Sequence, residues 1–257
     1  MRGEGEEAVV REMERLGRHS PARAIVLRYH EHDRLDAEAV LDCEIPDEPG
    51  LLGICHDRVV LSANPGRLEH ADSLVAPLLV SELPVVAWMP DAQGPHRDAV
   101  ARRADHLVTD SEGDGSSLEA SAELAEHGPV HDLAWGRLER WRGAVASAWD
   151  PPARRGHLAN VSEVEIAHGA DAAAEALLLA GWIAARAGLA ADAVTLEAGA
   201  AGIESVRFAA GDAEIHVEPP PRPTEGGEAF VRALVATRAF RSGYADALAL
   251  ARKLRDH

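Results

Sequence analysis

The segment PVVAWMP, residues 84–90, constrains the fold of this chain more than any other stretch. It is a short, continuous apolar run between two prolines, and such runs are typical of a central strand in a parallel sheet, buried on both faces. The following segments alternate in type: a helix is predicted around 95–104, a strand at 106–110 and a helix at 116–127. This alternation of strands and helices predicts an α/β layer structure with parallel strands.

The residues before this segment extend the same pattern. Three apolar or alternating stretches are predicted as strands, at 22–30, 37–45 and 53–63. Asn64 followed by Pro65 predicts the start of a helix, which Pro77 should kink or shorten. A charged helix is predicted at 4–17. Residues 1–150 are therefore predicted to form a three-layer, Rossmann-like α/β domain with a largely parallel sheet.

A smaller α+β domain is predicted over residues 151–257. The boundary rests on DPPARRG, residues 150–156, which has the adjacent prolines of a linker. The elements predicted beyond it are a strand at 161–167, a helix at 172–188 ended by Gly188, three short strands with a Gly-Asp turn between the last two, and one or two helices over 228–253.

Charge and hydropathy narrow the class of partner. The chain has 43 acidic and 26 basic residues, a net charge of −17, and nucleic-acid binding needs a basic surface instead. No apolar run approaches the ~18 residues that a membrane-spanning helix requires. The charged first residues are unlike a signal peptide. A cytoplasmic protein that binds neither nucleic acid nor membrane is expected.

The two cysteines, Cys43 and Cys55, match neither a CxxC redox motif nor a zinc-type spacing. Disulfides are rare in the cytoplasm. Two reduced, partly buried thiols are therefore favoured over one structural disulfide.

Motifs of catalysis and cofactor binding are absent from the sequence. It contains no GxGxxG, no GxxxxGK[ST] and no GxSxG. The glycine-rich loop at 109–117 could hold an anion, but its acidic residues oppose this, and a helix-capping role for Ser116 is favoured. His30, His32 and Asp33 could contribute to a metal site, but a solvated loop is favoured. We therefore predict no metal, no cofactor and no enzymatic activity.

The segment DLAWGRLERWR, residues 132–142, concentrates tryptophan and arginine. Asp132 is predicted to cap a helix over about 133–149. One face of that helix is apolar and predicted as core: Ala134, Leu138, Trp141, Val145 and Trp149. Trp135 and Arg142 lie on a flank of this stripe and are residue types of interface hot spots. Packing of Trp135 at the edge of the core is the alternative.

Two long segments, HADSLVAPLLVSELPVVAWMP (70–90) and DLAWGRLERWR (132–142), resemble the glucose-6-phosphate dehydrogenase assembly protein family, OpcA. SPARAIVLRY (20–29) and SGYADAL (242–248) are similar to further segments of that family, whereas Met89 stands where the family has a second tryptophan. The resemblance implies a non-catalytic partner of glucose-6-phosphate dehydrogenase, which promotes its assembly or activates it allosterically in the oxidative pentose phosphate pathway. The positions matching the family's motifs, expected to bind the partner, are His70, Asp72, Trp88, Asp132, Trp135, Arg137, Trp141 and Arg142.

Two other function classes stay open from the sequence. One is a binding module for a sugar phosphate or nucleotide at the carboxyl ends of the parallel strands, near residues 30–33, 90–95 and 110–117. The other is a hydrolase or transferase whose catalytic residues are distant in sequence. A homo-oligomer is compatible with each of these functions.

Overall fold

The computed structural model describes residues 23–44, 54–89, 93–94, 96–221 and 243–256. Its contacts divide the chain into two compact units. The first comprises Met1–Val85 and Gly94–Arg103, and the second comprises Val86–Gln93 and Ala104–His257. The helix predicted at 4–17 lies outside the described residues, as do residues 228–242 of the predicted final helices.

A mixed three-stranded sheet forms the centre of the first unit. Its strands are β1 (Arg23–Tyr29), β2 (Asp36–Glu44) and β3 (Ile54–Ala63), in the order β1-β3-β2. β1 runs parallel to β3, and β2 runs antiparallel to it. Val60 and Leu61 are both buried, and since neighbouring residues of a strand face opposite sides, β3 is covered on both faces there. All three predicted strands are confirmed.

Three short helices complete the described part of this unit: α1 (Pro65–Leu68), α2 (Ala71–Val75) and α3 (Arg97–Ala101). The predicted cap is confirmed, because the Asn64 side chain accepts a hydrogen bond from the Arg67 backbone amide at 3.0 Å. Pro77 lies in a 3₁₀ turn directly after α2 and so shortens the helix, as predicted. Leu68, Ala71 and Val75 supply the buried apolar surface of α1 and α2.

The second unit contains a fully parallel sheet of three short strands. These are β4 (Val86–Trp88), β5 (His106–Thr109) and β6 (Val130–Asp132), in the order β4-β5-β6. Leu107 and Val108 of β5 are both completely buried, so β5 is the central strand. The prediction that PVVAWMP forms the central strand is wrong within the described sheet, since β4 lies at its edge and Val86 is 40% exposed. The sequence analysis missed β6, which has only three residues.

Helix α4 (Ser117–Leu124) connects β5 to β6, and two helices follow β6 where one was predicted. They are α5 (Leu133–Arg137) and α6 (Glu139–Ser147). The break is at Leu138, whose ψ of −4° is far from the helical value of about −42°. The single helix predicted over 133–149 is therefore wrong in its continuity. A further short helix, α7 (Pro152–Arg155), occupies the predicted linker.

The remainder of the second unit is a four-stranded sheet with two helices. The elements are β7 (Val161–His168), α8 (Ala173–Ala187), β8 (Val194–Ala198), β9 (Ile203–Ala210), β10 (Ala213–Val217) and α9 (Tyr244–Arg255). The strand order is β10-β9-β7-β8, with β7 and β8 parallel and the other pairs antiparallel. Gly188 ends α8 in the left-handed conformation, and Gly211 and Asp212 form the β9–β10 turn, both as predicted.

One apolar core joins the parallel sheet's helices to this four-stranded sheet. Trp149 of the predicted first domain packs edge to face on Phe208, with ring centroids 5.2 Å apart and an interplanar angle of 78°. Both side chains belong to a continuous buried cluster that extends from Leu118 to Ala251. A folding boundary between 1–150 and 151–257 stays a prediction, and a cut at residue 150 would divide this core.

The chain is thus a mixed α/β protein with parallel strand pairs in each of its three described sheets. The strands of its first half form two separate three-stranded sheets in the described ranges, where the sequence analysis expected one. None of the helices in those ranges combines the length and the apolar character that crossing a membrane requires.

Candidate functional site

Asp132 lies at the carboxyl end of β6 and is completely buried. Its Oδ1 accepts hydrogen bonds from the backbone amides of Ala134 and Ser111, each at 3.0 Å. Its Oδ2 accepts from the Ser111 hydroxyl at 2.5 Å and from the Tyr244 hydroxyl at 3.0 Å. The bond to Ala134 confirms the predicted helix cap. Four donors compensate the burial of this carboxylate, which otherwise would be very unfavourable.

A chain of buried hydroxyl groups extends from this carboxylate into the sheet. The Ser111 and Ser121 hydroxyls lie 3.3 Å apart, and Ser121 donates to Thr109 Oγ1 at 3.3 Å. Thr109 is the register partner of Asp132 on the adjacent strand, which explains why residues far apart in sequence meet here. We call Thr109, Ser111, Ser121, Asp132 and Tyr244 the Asp132 network.

Tyr244 ties the last described helix into this network. Burial raises the pKa of Tyr244 well above its ordinary value of 10.0, and the charge of Asp132 acts in the same direction. The hydroxyl therefore remains a proton donor at neutral pH. Its ring packs against Trp135, with centroids 5.8 Å apart. The hydrogen bond and the ring contact together hold α9 against α5.

Trp135 is only 1% exposed. The predicted exposed flank is therefore wrong for this residue, and Trp135 packs in the core, more deeply than the alternative of an edge position expected. Two features of the fold explain this burial. Helix α5 ends at Arg137, so Trp135 does not lie on the single long helix whose periodicity placed it on a flank. In addition, Tyr244 of α9 packs against the indole ring. Trp141 and Trp149 are buried as predicted, at 9% and 7% exposure.

Arg142 covers the other side of the Trp135 ring. Its guanidinium carbon lies 3.7 Å from the ring centroid, and Nη1 donates to the Trp135 carbonyl oxygen at 2.6 Å. Burial lowers the pKa of Arg142 to about 10, although the nearby Glu139 acts in the opposite direction. The side chain is half-buried, so part of this cation–π pair is accessible.

Arg137 pairs with two carboxylates near the carboxyl end of β5. Its Nη1 donates to Asp110 Oδ2 at 3.1 Å, its Nη2 lies 2.8 Å from Asp110 Oδ1, and its Nε donates to Glu175. Burial raises the pKa of Asp110 above its ordinary value, and Arg137 opposes that shift. Burial alone would lower the pKa of Arg137, but the two carboxylates raise it. The guanidinium is therefore already neutralised by side chains of its own unit.

The remaining motif residues belong to other elements of the chain. Trp88 is half-buried at the end of β4, in register with Val108 of β5. His70 and Asp72 belong to the first unit, where His70 is exposed directly before α2 and Asp72 is half-buried in its first turn. The motif positions thus contribute to both units. Asp132, Trp135, Arg137, Trp141 and Arg142 share one neighbourhood within the second unit.

The other sequence candidates are placed as follows. Ser116 stands at the N-cap position of α4, as predicted, but its side chain makes no capping hydrogen bond, and its backbone amide donates to Asp114 Oδ1 at 3.0 Å. His30 Nε2 lies 3.7 Å from Asp36, and the His32 amide donates to His30 Nδ1 at 3.1 Å. No three or more His, Cys, Asp or Glu side chains are arranged to hold a metal in the described ranges.

The sequence analysis missed the polar partners of Asp132 and a histidine pair. His131 is 2% exposed, and its Nε2 lies 3.3 Å from His106 Nδ1. The sequence did offer one indication of these partners: Thr109 ends, and Ser111 follows, an apolar stretch predicted to be a strand. The carboxylate that accepts their hydrogen bonds lies on the neighbouring strand β6, and its three residues are too few to show a strand pattern.

Comparison with known proteins agrees with the motif positions. The protein-family model described as "Glucose-6-phosphate dehydrogenase subunit N-terminal domain" matches residues 13–126 of this sequence. The family model for the corresponding C-terminal domain matches residues 128–233. The chain belongs to the OpcA family. The family resemblance inferred from the sequence is confirmed.

Three cyanobacterial relatives bear the name OxPP cycle protein OpcA. The OpcA of Nostoc punctiforme is 31% identical over 166 residues, which cover 61% of this chain and 35% of the relative. The OpcA of Synechococcus elongatus is 29% identical over 166 residues, covering 62% and 37%. That of Synechocystis is 27% identical over 176 residues, covering 65% and 37%. The matched part of the chain therefore spans little more than a third of the length of these relatives.

Proposed function

We propose that this chain is a non-catalytic assembly factor and allosteric activator of glucose-6-phosphate dehydrogenase, acting by protein–protein contact in the oxidative pentose phosphate pathway. The matching family models are described as domains of a glucose-6-phosphate dehydrogenase subunit, and the relatives are named for the OxPP cycle.

The observation that most supports this proposal is the complete burial of Asp132, whose carboxylate is hydrogen-bonded to groups of its own unit. A general acid or base must reach the proton that it transfers, and a nucleophile must contact its substrate. Asp132 instead has no exposed surface and accepts four hydrogen bonds from its own unit. The DLAWGRLERWR segment, specific to the family resemblance, therefore builds a buried, hydrogen-bonded interior. Such an interior suits a protein that presents a shaped surface to a partner.

The eight motif residues have two roles in this proposal. Those that are buried set the packing of α5 and α6: Asp132, Trp135 and Trp141. Those that keep accessible surface contact the dehydrogenase: His70, Asp72, Trp88, Arg137 and Arg142. Binding to the more active conformation of the enzyme shifts its population, and a coupling free energy of about 1–3 kcal/mol gives roughly a 5–150-fold effect.

The proposal includes a cytoplasmic location and a Rossmann-like arrangement of the parallel sheet. The order β4-β5-β6 follows the chain, and α4 lies between β5 and β6 in sequence, as in that arrangement. The net charge of −17 is consistent with a protein partner and opposes nucleic acid.

The experiment is a titration of this chain into glucose-6-phosphate dehydrogenase from the same organism. Initial rates are recorded over a range of glucose 6-phosphate concentrations, and the mixture is run on a sizing column. We expect saturable activation and a shared elution peak. An unchanged rate together with separate peaks would refute the proposed function for this chain.

A matched pair of variants tests the accessible motif residues. His70 is exposed and makes no capping hydrogen bond, so His70→Ala should keep the fold and weaken the activation. His32→Ala, at an exposed loop position outside the motif, should activate like the parent. Equal activation by both variants would remove His70 from the contact surface.

A small-molecule binding module is the second candidate. It is favoured by the glycine-rich loop at the carboxyl end of β5, where Gly113 and Gly115 adopt positive φ angles of 68° and 84°. Against it, two cations beside this loop already have acidic partners: Arg137 pairs with Asp110 and Glu175, and Arg255, which donates to the Gly115 carbonyl oxygen at 3.3 Å, lies 3.8 Å from Glu119. Thermal shifts with sugar phosphates or nucleotides would favour this module if the dehydrogenase titration gave no binding.

A further inference from the structure

Gly143 lies in the middle of α6, at an exposed position. Glycine inside a helix is less favourable than alanine, because it loses more backbone freedom when the chain folds. A Cβ at Gly143 would have no described atom within 4 Å, so no close contact in the described chain requires glycine there. The packing of its own unit therefore gives no reason for this residue.

Gly181 of α8 shows what a helical glycine does elsewhere in the same unit. A Cβ at Gly181 would collide with the Ala247 carbonyl oxygen of α9 and would lie 2.8 Å from the Ala251 amide nitrogen. The missing side chain thus lets two helix backbones approach each other closely. Gly143 offers the same close approach on α6, but no described element uses it.

The exposed side of α6 is flanked by two cations. Trp141 faces the core, and at about 100° per residue Gly143 lies on the opposite side of the helix, with Arg140 and Arg142 on either flank of it. Glu139 is the acidic residue of this side, in the first turn, where a negative charge favours the helix N-terminus. We call the surface formed by Gly143 and its flanking arginines the α6 face.

Four arginines at or near this helix donate to backbone carbonyl oxygens. The bonds are Arg140 Nη1 to Pro221 at 2.7 Å, Arg142 Nη1 to Trp135 at 2.6 Å, Arg154 Nη1 to Ala148 at 3.4 Å and Arg155 Nη2 to Asp150 at 2.8 Å. Ala148 and Asp150 come just after α6, so the last two arginines lie at its carboxyl end. A guanidinium group has five N–H donors, and each of these side chains therefore keeps donors for a further acceptor.

These four arginines are not paired with a carboxylate among the described residues, whereas Arg137, Arg207 and Arg252 are. Residues 139–155 contain four arginines and two carboxylates, although the whole chain has a net charge of −17. The α6 face is thus a cationic area on an acidic protein. Carboxylates complement it, because they bind guanidinium groups through charge-assisted hydrogen bonds.

We propose that the α6 face is a docking surface for an acidic segment of a protein partner. The backbone of that segment packs against Gly143, and its carboxylates pair with Arg140 and Arg142 and with the two arginines at the carboxyl end of α6. The close approach and the acidic character of the segment follow from the residues of this chain. The identity of the partner as glucose-6-phosphate dehydrogenase rests on the proposed function.

The first variant, Gly143→Gln, places a long and helix-favouring side chain on the α6 face. The urea midpoint of the free chain should stay equal or rise, because the position is open. In the titration of the dehydrogenase, the concentration that gives half-maximal activation should rise about tenfold or more, since the new side chain separates the two backbones. Ala249→Gln, at an exposed position of α9, is the matched control and should activate like the parent.

The second variant, Arg140→Glu, tests the charge of the partner. It should weaken the activation, and added salt should weaken the activation by the parent, because both reduce the attraction between guanidinium groups and carboxylates. Arg186→Glu, at an exposed position of α8, changes the net charge equally and should activate like the parent.

The possible results separate this inference from the proposed function. Parental activation by both Gly143→Gln and Arg140→Glu would overturn the docking surface and leave the proposed function intact. A lower urea midpoint for Gly143→Gln would show that the position is covered within the chain and would also overturn the surface. A loss of activation confined to Gly143→Gln would contradict the acidic character of the segment. No binding by the parent would refute the proposed function, and the docking surface with it.

Discussion

The hydroxyl of Tyr244 provides the sharpest test of the Asp132 network. Tyr244→Phe removes the hydroxyl, which donates to Asp132 Oδ2 at 3.0 Å, and keeps the ring that packs on Trp135. Both partners of this bond are buried, with Asp132 at 0% and Tyr244 at 7% exposure. A hydrogen bond to a charged group contributes about 1.5–3 kcal/mol. We expect the free energy of unfolding to fall by that amount, because the carboxylate retains three of its four donors.

Tryptophan fluorescence in a urea titration measures this loss. All five tryptophans, at positions 88, 135, 141, 149 and 182, belong to the second unit, so their fluorescence follows the unit that contains the network. With an m-value of about 2 kcal/mol/M, the expected loss shifts the urea midpoint by about 1 M. Circular dichroism followed in parallel detects whether the two units unfold together.

The pH dependence supplies an independent check. Burial raises the pKa of folded Tyr244 above its unfolded value of 10.0. The stabilising contribution of the hydroxyl is therefore fully present below pH 10.0 and is lost as the pH rises through the folded pKa. The difference between the parent and Tyr244→Phe should be constant from neutral pH to about 10 and should then narrow.

Tyr29→Phe is the control for an exposed tyrosine hydroxyl: Tyr29 is the other tyrosine, is 56% exposed and belongs to the first unit, so its effect is followed by circular dichroism. It should change the free energy of unfolding by no more than about 0.5 kcal/mol. If Tyr244→Phe is equally mild, the hydroxyl does not stabilise the carboxylate and our account of the network is wrong.

Three further predictions address the packing and the charges of the second unit. A Cβ at Gly181 of α8 would lie 2.2 Å from the Ala247 carbonyl oxygen of α9. Gly181→Ala should therefore lower the free energy of unfolding by about 1–3 kcal/mol through overpacking, which the urea midpoint reports. Gly143→Ala, in an open position of α6, should be neutral or stabilising. Trp135→Ala should cost about 3–5 kcal/mol in the same titration, because the indole is core, and retention of parental stability would contradict its burial. Because burial raises the pKa of folded Asp110, the contribution of this carboxyl group to the free energy of unfolding is favourable below pH 3.8 and is lost as the pH rises through the folded pKa. At pH 7 Asp110→Asn should therefore have a urea midpoint equal to or higher than that of the parent. A lower midpoint would show that the ion pair with Arg137 stabilises the fold more than the burial of the charged carboxylate destabilises it.

The burial of Trp135 changes how the family motif is interpreted. Tryptophan and arginine in one short segment suggested an exposed hot spot, because these residue types dominate many interfaces. In the folded chain the guanidinium of Arg142 covers the indole and binds the Trp135 carbonyl oxygen. The pair that suggested a docking surface is thus largely satisfied within its own unit.

Local sequence was sufficient where a feature depends on neighbours along the chain. Asn64 and Asp132 cap their helices, Gly188 ends α8, and Gly211 begins a hairpin turn, because each acts on backbone groups a few residues away. The apolar stripe that includes Trp141 and Trp149 is likewise buried as its spacing predicted. Two long motif segments also identified the family.

Tertiary structure decided every feature that joins residues distant in sequence. Asp132 and Tyr244 are 112 positions apart, and no local pattern indicates that one hydroxyl will reach the other. Strand order made β5 central and aligned Cys43 with Cys55, although the pattern of each strand was already visible. Periodicity states which face of an element is apolar, whereas the choice of the covering element depends on how the whole chain packs. The sequence by itself therefore determined most of the elements and the family, and the packing of those elements determined which side chains became core, network or accessible surface.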